Sequence, residues 1–332
     1  YKKRFQITKK HDIINKCFKL NMFSNHTLQY SNTQLNYYVY KSNKPGKTVL
    51  ISGGIHGNEA NGMFVALEFF QYLKKHSELF SGTIIVAPHL NPEGFKKRNR
   101  RYDETDLNRT FTDKLEHPLS KQINQEILKK IDYGIDFHDS GSTYNLVLHA
   151  RIPKNQCHLK DFINHLEVPF CFIRDHKNGM INDFMNKLNK PFVTIESGGN
   201  YQVNPEQIEK QINLILNILK YNGNLEGLAK RNKTIPIYQR YRFKAKTTLL
   251  IYPKVKLGQT IKKGDTIAIA YENNIHNPIE IQSPIEGYII ALNPHNLIKQ
   301  NEYVFGIGQC QKTISKIQIA NPDLIEYKHI CL

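Results

Sequence analysis

The sequence predicts an α/β protein, a mixed central sheet flanked by helices, followed by a small C-terminal all-β barrel or sandwich. Three observations predict it. Up to about residue 230, β-branched and aromatic runs alternate with stripes of helical period. From Ile235 onward only short strand-like runs occur, separated by turn glycines. Each polar motif that stands out follows a strand-like run or lies in a loop between elements, and ligands bind beyond the carboxyl ends of strands in such sheets.

In chain order, Gln34 to Tyr40 (QLNYYVY) and Thr48 to Ser52 (TVLIS) are strand-like runs joined by the Pro-Gly turn SNKPGK. Gly53-Gly54 opens a polar loop. Ala60 to Lys75 then carries Met63, Val65, Ala66, Leu67, Phe69, Phe70 and Leu73, the wide apolar stripe of a core-facing helix. Thr83 to Ala87 (TIIVA), Ile131 to Phe137 (IDYGIDF) and Pro191 to Glu196 (PFVTIE) have the composition of buried strands. Pro205 to Tyr221 sets Ile208, Ile212, Ile215, Leu216 and Leu219 on one helical face. The texture changes between Gly227 and Thr234, dividing the chain into an α/β part, residues 1–230, and a β-rich part, residues 231–332. The second part holds two hairpin-sized halves, KVKLGQTIKKGDTIAIA and IEIQSPIEGYIIAL, each with a turn glycine.

A chain of 332 residues that is 40% hydrophobic and 23% charged has enough apolar surface for a sizeable core, which excludes disordered and fibrous classes. No apolar run approaches the roughly 20 residues needed to span a bilayer, so no membrane partner is expected. Lys and Arg number 46 against 29 Asp and Glu, a net charge of +17. Such a charge suits an anionic partner. The cations are spread along the whole chain, however, beside abundant Ile, Asn and Tyr, as an AT-rich genome favours. The one dense cluster, Lys96 to Arg101, lacks the interleaved aromatics of a nucleic-acid stacking platform, so no nucleic-acid partner is expected. Five cysteines without a CxxC pair predict reduced thiols and a cytoplasmic location. The chain starts at Tyr1 rather than Met, which leaves room for a processed leader. A homo-oligomer is compatible with all of this.

Four motifs carry the chemistry: His56-Gly-Asn-Glu59 after a strand, Asp106-Leu-Asn-Arg109 in a basic loop, Asp136-Phe-His138-Asp139 ending a strand, and Ile195-Glu196-Ser-Gly-Gly ending another. A catalytic zinc keeps one position open and needs three protein ligands, and two His with one Glu is a known set. His56 and Glu59, where a loop enters a helix, can reach one point. His138 at a strand end is the best third ligand. Asp136 shares the face of His138, and Asp139 is its neighbour; either is a candidate to orient that imidazole. Glu196 precedes a sharp Gly-Gly turn, where a carboxylate can take a proton from water in metal-assisted amide hydrolysis. In the basic loop, one or two arginines with Asn108 can bind a substrate carboxylate.

The segments SGGIHGNE, NPEGFKKRNRRYDETDLNR, DFHDS and VTIESGG, in this order, resemble the succinylglutamate desuccinylase/aspartoacylase family of zinc carboxypeptidase-like enzymes. RYDETDLNR is the most specific of them, and the resemblance runs from residue 48 to about 220. It implies one Zn2+ per chain held by His56, Glu59 and His138, with Glu196 as general base. It implies Asn108 and Arg109 as the holders of a substrate carboxylate, and Arg101 as the group that polarises the scissile carbonyl and steadies the oxyanion. The tyrosine that closes over substrate in relatives is not locatable among 18 tyrosines. The tail resembles a lipoyl/biotinyl-like barrel in which His276 stands where an attachment lysine belongs, so it is expected to cover the site instead of carrying a swinging arm.

The function that follows is a zinc-dependent amide hydrolase that removes an acyl group from an N-acyl amino acid or similar small anionic amide. A zinc carboxypeptidase acting on peptides, including peptidoglycan peptides, would use the same residues and is the alternative. A metal-free binding protein on the same fold and a nucleic-acid-binding protein are rivals from other classes.

Overall fold

The computed structural model describes residues 22–141, 144–154, 156, 159–272, 278–310 and 324–330. The α/β part contains strands β1 (Phe23–Tyr30), β2 (Thr33–Lys41), β3 (Thr48–Gly53), β4 (Thr83–Ala87), β5 (Tyr133–His138), β6 (Asn145–Pro153), β7 (Phe170–Arg174) and β8 (Phe192–Gly198). Its helices are α1 (Ala60–Lys75), α2 (Pro92–Lys97), α3 (Pro118–Glu126), α4 (Lys160–Asn164), α5 (Ile181–Lys187) and α6 (Pro205–Tyr221). The centre of the sheet runs β4-β3-β5-β8 with all neighbours parallel, and antiparallel partners flank it, β2 beyond β4 and β6 beyond β8. The mixed sheet and its helices agree with the sequence expectation.

Alternation along the central strands builds a core on each face. Val49, Ile51, Ile84 and Val86 pack with α1 and α6, while Leu50, Ile85 and Ala87 pack with α3 and α5 on the other side. Both long helices occupy the spans that the periodicity predicts. Asn204 caps α6 by accepting from the Glu206 and Gln207 amides, and Pro205 takes the first helical position, where its missing N–H costs nothing.

Past Gly227 every described element is a strand: β9 (Ile235–Ile237), β10 (Gln239–Ala245), β11 (Leu249–Pro253), β12 (Thr260–Ile261), β13 (Thr266–Tyr271), β14 (Ile279–Gln282), β15 (Gly287–Leu292), β16 (Leu297–Ile298), β17 (Tyr303–Gln309) and β18 (Leu324–Ile330). A four-stranded sheet, β14-β13-β11-β16, packs against β10, β15 and β17 through Tyr241, Phe243, Ile251, Ile289 and Phe305, forming a sandwich. The two parts of the chain share hydrogen bonds. β15 pairs with β6 and β9 pairs with β7, so the large sheet continues from β6 through β15-β17-β10-β18. Val147, Phe170, Phe172, Ile237 and Ile290 fill the joint. His276, where the attachment lysine of a carrier domain would stand, lies outside the described residues, as do Cys17, Cys157 and Cys331. Cys171 and Cys310 are free thiols. No described helix is long and apolar enough to cross a membrane.

The contact that sets the site is the approach of α1 to the strands. A Cβ on Gly62 would sit 2.0 Å from the Phe137 carbonyl oxygen, and one on Gly53 would sit 2.4 Å from the Gly62 carbonyl oxygen. Two residues without side chains therefore let the first turn of α1 rest against β3 and β5, bringing Glu59 to His138. Gly62→Ala must push helix and strand apart. Overpacking of this kind costs about 1–3 kcal/mol; thermal unfolding should show a lowered midpoint, with metal affinity falling alongside it.

Candidate active site

His56, Glu59 and His138 converge, with a ligand atom from each lying within 4.8 Å of the others. All three are buried. Glu59 is the hinge of the group: Oε1 lies 2.8 Å from His56 Nδ1, and Oε2 lies 2.8 Å from His138 Nδ1. Each imidazole turns its other nitrogen to a carboxylate. His138 Nε2 is 2.7 Å from Asp136 Oδ2, and His56 Nε2 is 3.2 Å from Asp106 Oδ1. Asp136 is held in turn by the Ser52 hydroxyl, which donates to Oδ1 at 2.8 Å. Arg100 closes the other end, donating to Asp106 Oδ2 through Nε and Nη2 and to Glu59 Oε1 through Nη1.

Local sequence explains why Glu59 is available. It stands at the N-cap of α1 yet makes no side-chain cap bond, because its carboxylate faces the two histidines. The helix terminus takes its acceptor from the residue just past β5: Asp139 Oδ2 accepts from the Asn61 amide at 2.9 Å, while Oδ1 accepts from Gly141 N at 2.6 Å. Of the two aspartates considered from sequence, Asp136 orients His138 and Asp139 orients the helix that carries Glu59.

Electrostatics follow this arrangement. Burial works to raise the Glu59 pKa, but the charges of His56 and His138 and their hydrogen bonds outweigh it and hold the carboxyl well below its usual range. Burial works against a charged His138, yet the Asp136 and Glu59 carboxylates raise its pKa well above that of a free imidazole. Asp106 is likewise held low: burial opposes ionisation, and the His56 hydrogen bond, His56 and Arg100 prevail. With Asp136 and Asp106 at the Nε2 atoms, both imidazoles direct Nδ1 to the Glu59 carboxylate, so the three groups converge on one point. Two histidines so oriented and one carboxylate, with room for a further ligand, fit a catalytic zinc.

Glu196 ends β8 and pairs in register with His138 of β5. It is buried, and the Arg151 guanidinium donates to its Oε1. Burial pushes its pKa up, but Arg151 first and His138 next overcome that and leave it below the usual carboxylate value. Asn108 and Arg109 are both at the cavity, Arg109 at its exposed mouth. The Asn108 Oδ1 accepts from Ile181 N at 3.0 Å, so the amide has its NH2 end to offer a ligand.

Arg101, expected over the scissile carbonyl, is elsewhere. It is exposed, absent from the cavity lining, and donates through Nη1 to the Glu104 carbonyl at 3.0 Å. The inward guanidinium belongs to Arg100. Tyr102 is buried with its hydroxyl 3.0 Å from Thr33 Oγ1, and Arg100 is drawn inward by Asp106 and Glu59. Arg101 between them faces solvent.

Sequence reasoning missed several residues of the cavity, which encloses about 170 Å3: Arg151 and His149 on β6, Lys177, Tyr144, and Arg240 and Arg242 on β10. Polar residues alternating within apolar strand runs, as in LVLHARIP and QRYRFKA, were the available signal. Arg240 lies over the Phe172 ring at 5.3 Å, and Arg242 lies over Tyr144 and Tyr303 at 5.1 and 5.6 Å. The β-rich part thus supplies one wall of the cavity, with Ile290, Ala291 and Gly306 completing it.

Fold and site together define a hydrolase of amide bonds, built around a His-Glu-His centre able to hold a metal. The model of the succinylglutamate desuccinylase/aspartoacylase catalytic domain matches residues 45–222, and the chain belongs to that family. A probable aspartoacylase of Trichodesmium erythraeum (strain IMS101) is 27% identical over 233 residues, 64% of this chain and 75% of its own length. An N-acyl-aromatic-L-amino acid amidohydrolase (carboxylate-forming) of Rattus norvegicus is 28% identical over 134 residues, 36% of this chain and 41% of its own length. Among solved structures, the product-bound ectoine utilization protein EutE of Ruegeria pomeroyi superposes with a TM-score of 0.70 at 22% identity, covering 86% of this chain and 95% of that one. This last likeness is one of fold.

Asp136 is the most direct test of how the centre is held. Asp136→Asn removes the charge that fixes His138 while keeping the shape, and losses of this kind cost about 10–100-fold in metal affinity. Competition of the purified variant against a chelating dye should read a drop of that size.

Proposed function

We propose that this chain is a zinc-dependent deacylase that hydrolyses a small, carboxylate-bearing N-acyl amino acid. The observation that carries the reading is the cavity itself: a His-Glu-His centre and a buried glutamate on one side, and Arg109 with Asn108 at the mouth. Six cationic side chains (Arg100, Arg109, Arg151, Lys177, Arg240 and Arg242) line it against three carboxylates, Glu59, Asp139 and Glu196. Such a balance favours an anionic ligand. The volume of about 170 Å3 lies below the ~300–1,000 Å3 of sites for drug-sized ligands and favours a small molecule over a peptide. The family membership and the names of its relatives support amide cleavage beside a carboxylate.

Zinc at this centre would polarise the scissile carbonyl and lower the pKa of water to about 7. His56, Glu59 and His138 would hold it, with Asp106 and Asp136 orienting the two imidazoles. The remaining work belongs to the chain. Glu196 is ionised, takes the proton from the attacking water and returns it to the leaving nitrogen. Arg109 and the Asn108 amide bind the substrate carboxylate. Arg100, reaching Glu59 from the cavity side, is the guanidinium placed to meet the developing oxyanion.

Metal analysis of the purified protein, followed by a hydrolysis screen across N-acyl amino acids and short peptides, tests the reading. One zinc per chain with turnover of the acyl amino acids is expected; turnover of peptides alone would overturn it. Glu196→Gln should retain zinc while kcat falls about 10²–10⁴-fold, the usual worth of a general base.

The arginines separate by kinetics. Arg109→Ala removes binding present in both ground and transition states, so KM should rise while kcat changes little. Arg101→Ala, on an exposed side chain away from the cavity, should leave both constants within about twofold, as surface changes usually do. A steep kcat loss at Arg101 would return the oxyanion role to that residue.

A further inference from the structure

We propose that His149 accepts a hydrogen bond from the scissile N–H of the substrate and holds the amine that this nitrogen becomes, an inference that rests on the deacylase reading above. Register places it. Glu196 pairs with His138 on β5 and with His149 on β6, so the three residues form a row across adjacent strands on one face. Strands in a sheet stand about 4.8 Å apart. His149 therefore flanks the general base on the side away from the metal ligands, where the leaving group of a carbonyl held at the metal would lie.

The chemistry of the ring fits that place. His149 Nδ1 is 2.7 Å from the Val147 carbonyl oxygen, and a carbonyl only accepts, so Nδ1 carries the hydrogen. Burial pushes the imidazole pKa down to about 3 and keeps the ring neutral. Nε2 is then a lone-pair acceptor in a ring that lines the cavity. Stacking on Phe172, with centroids 3.8 Å apart, fixes the ring plane.

A neutral nitrogen acceptor in register beside the general base is what His149 adds to this cavity. Its cations only donate. Glu59 is engaged by His56, His138 and Arg100, and Asp139 by the Asn61 and Gly141 amides, while Glu196 takes Arg151 at Oε1 and, as general base, is committed to the attacking water. A neutral imidazole without hydrogen at Nε2 does not bind a carboxylate. The group in an N-acyl amino acid that requires an acceptor is the amide N–H, and leaving a buried donor unmatched is costly. With that N–H held at His149, the lone pair that develops on nitrogen as the C–N bond breaks faces Glu196, which supplies the proton.

The test compares an N-acetyl amino acid with the O-acetyl hydroxy acid of the same side chain, in which an ester oxygen replaces the N–H. His149→Phe keeps an aromatic ring on Phe172 and removes the acceptor. It should lower kcat/KM for the amide about tenfold, the worth of one hydrogen bond in a buried site, and leave the ester within about twofold. His149→Gln, which restores an acceptor oxygen, should recover part of the loss. Equal losses on amide and ester would overturn the proposal and mark His149 as packing alone. Hydrolysis of neither compound by the unmodified protein would overturn the deacylase reading, and this inference with it. Should His149→Phe fail to fold, ring-nitrogen NMR of the unmodified protein decides. An unprotonated Nε2 whose resonance moves on adding the product amino acid is expected; a protonated Nε2, or no movement, overturns the assignment.

Discussion

Everything at this site depends on one buried carboxylate bridging two imidazoles. Glu59 is nearly inaccessible to water, and an isolated charge there would be expelled or neutralised. It is tolerated because His56, His138 and Arg100 supply opposing charge and hydrogen bonds. The bridge forms only because Gly53 and Gly62 permit backbone-to-backbone contact between α1 and the strands. The helix start, the strand end and the loop between them are therefore one unit, and a change to any of them reaches the other two.

Around that unit the protein arranges charge in layers. Carboxylates at Asp106 and Asp136 lie behind the imidazoles, at their Nε2 atoms, and turn Nδ1 toward the centre. Cations lie in front, on the cavity side. The same three residues could hold a metal ion. The cationic wall is completed from β10. Since β15 pairs with β6, the β-rich part is joined to the catalytic sheet by backbone hydrogen bonds, and Arg240 and Arg242 are fixed relative to Glu196.

The legible elements were those whose periodicity had a single cause. α1 and α6 bury one face and carry unambiguous ends, so their spans follow from apolar spacing, and from Asn204-Pro205 in the case of α6. The parallel strands β3, β4 and β8 are apolar because both faces are covered. β6 and β7 were not legible. NLVLHARIP mixes core positions with cavity positions, and His149 and Arg151 interrupt the apolar pattern where the strand lines the cavity. In the basic loop, sequence placed an arginine at the site but chose the wrong neighbour. The carboxylates that draw Arg100 inward, Glu59 and Asp106, and the Tyr102–Thr33 contact beside it are invisible in one dimension.

By itself the sequence determined the α/β class and the change to β structure near residue 230, and it singled out His56, Glu59 and His138 as candidate metal ligands with Glu196 as candidate base, because local spacing and residue chemistry are short-range properties. Only the tertiary structure decided that Arg100 and not Arg101 turns inward. It also decided that Asp136 serves His138 while Asp139 caps α1, and that arginines far along the chain on β10 line the cavity. Those are questions of direction and of register between strands distant in sequence. They are settled by which side chains the folded core and the buried charges hold in place.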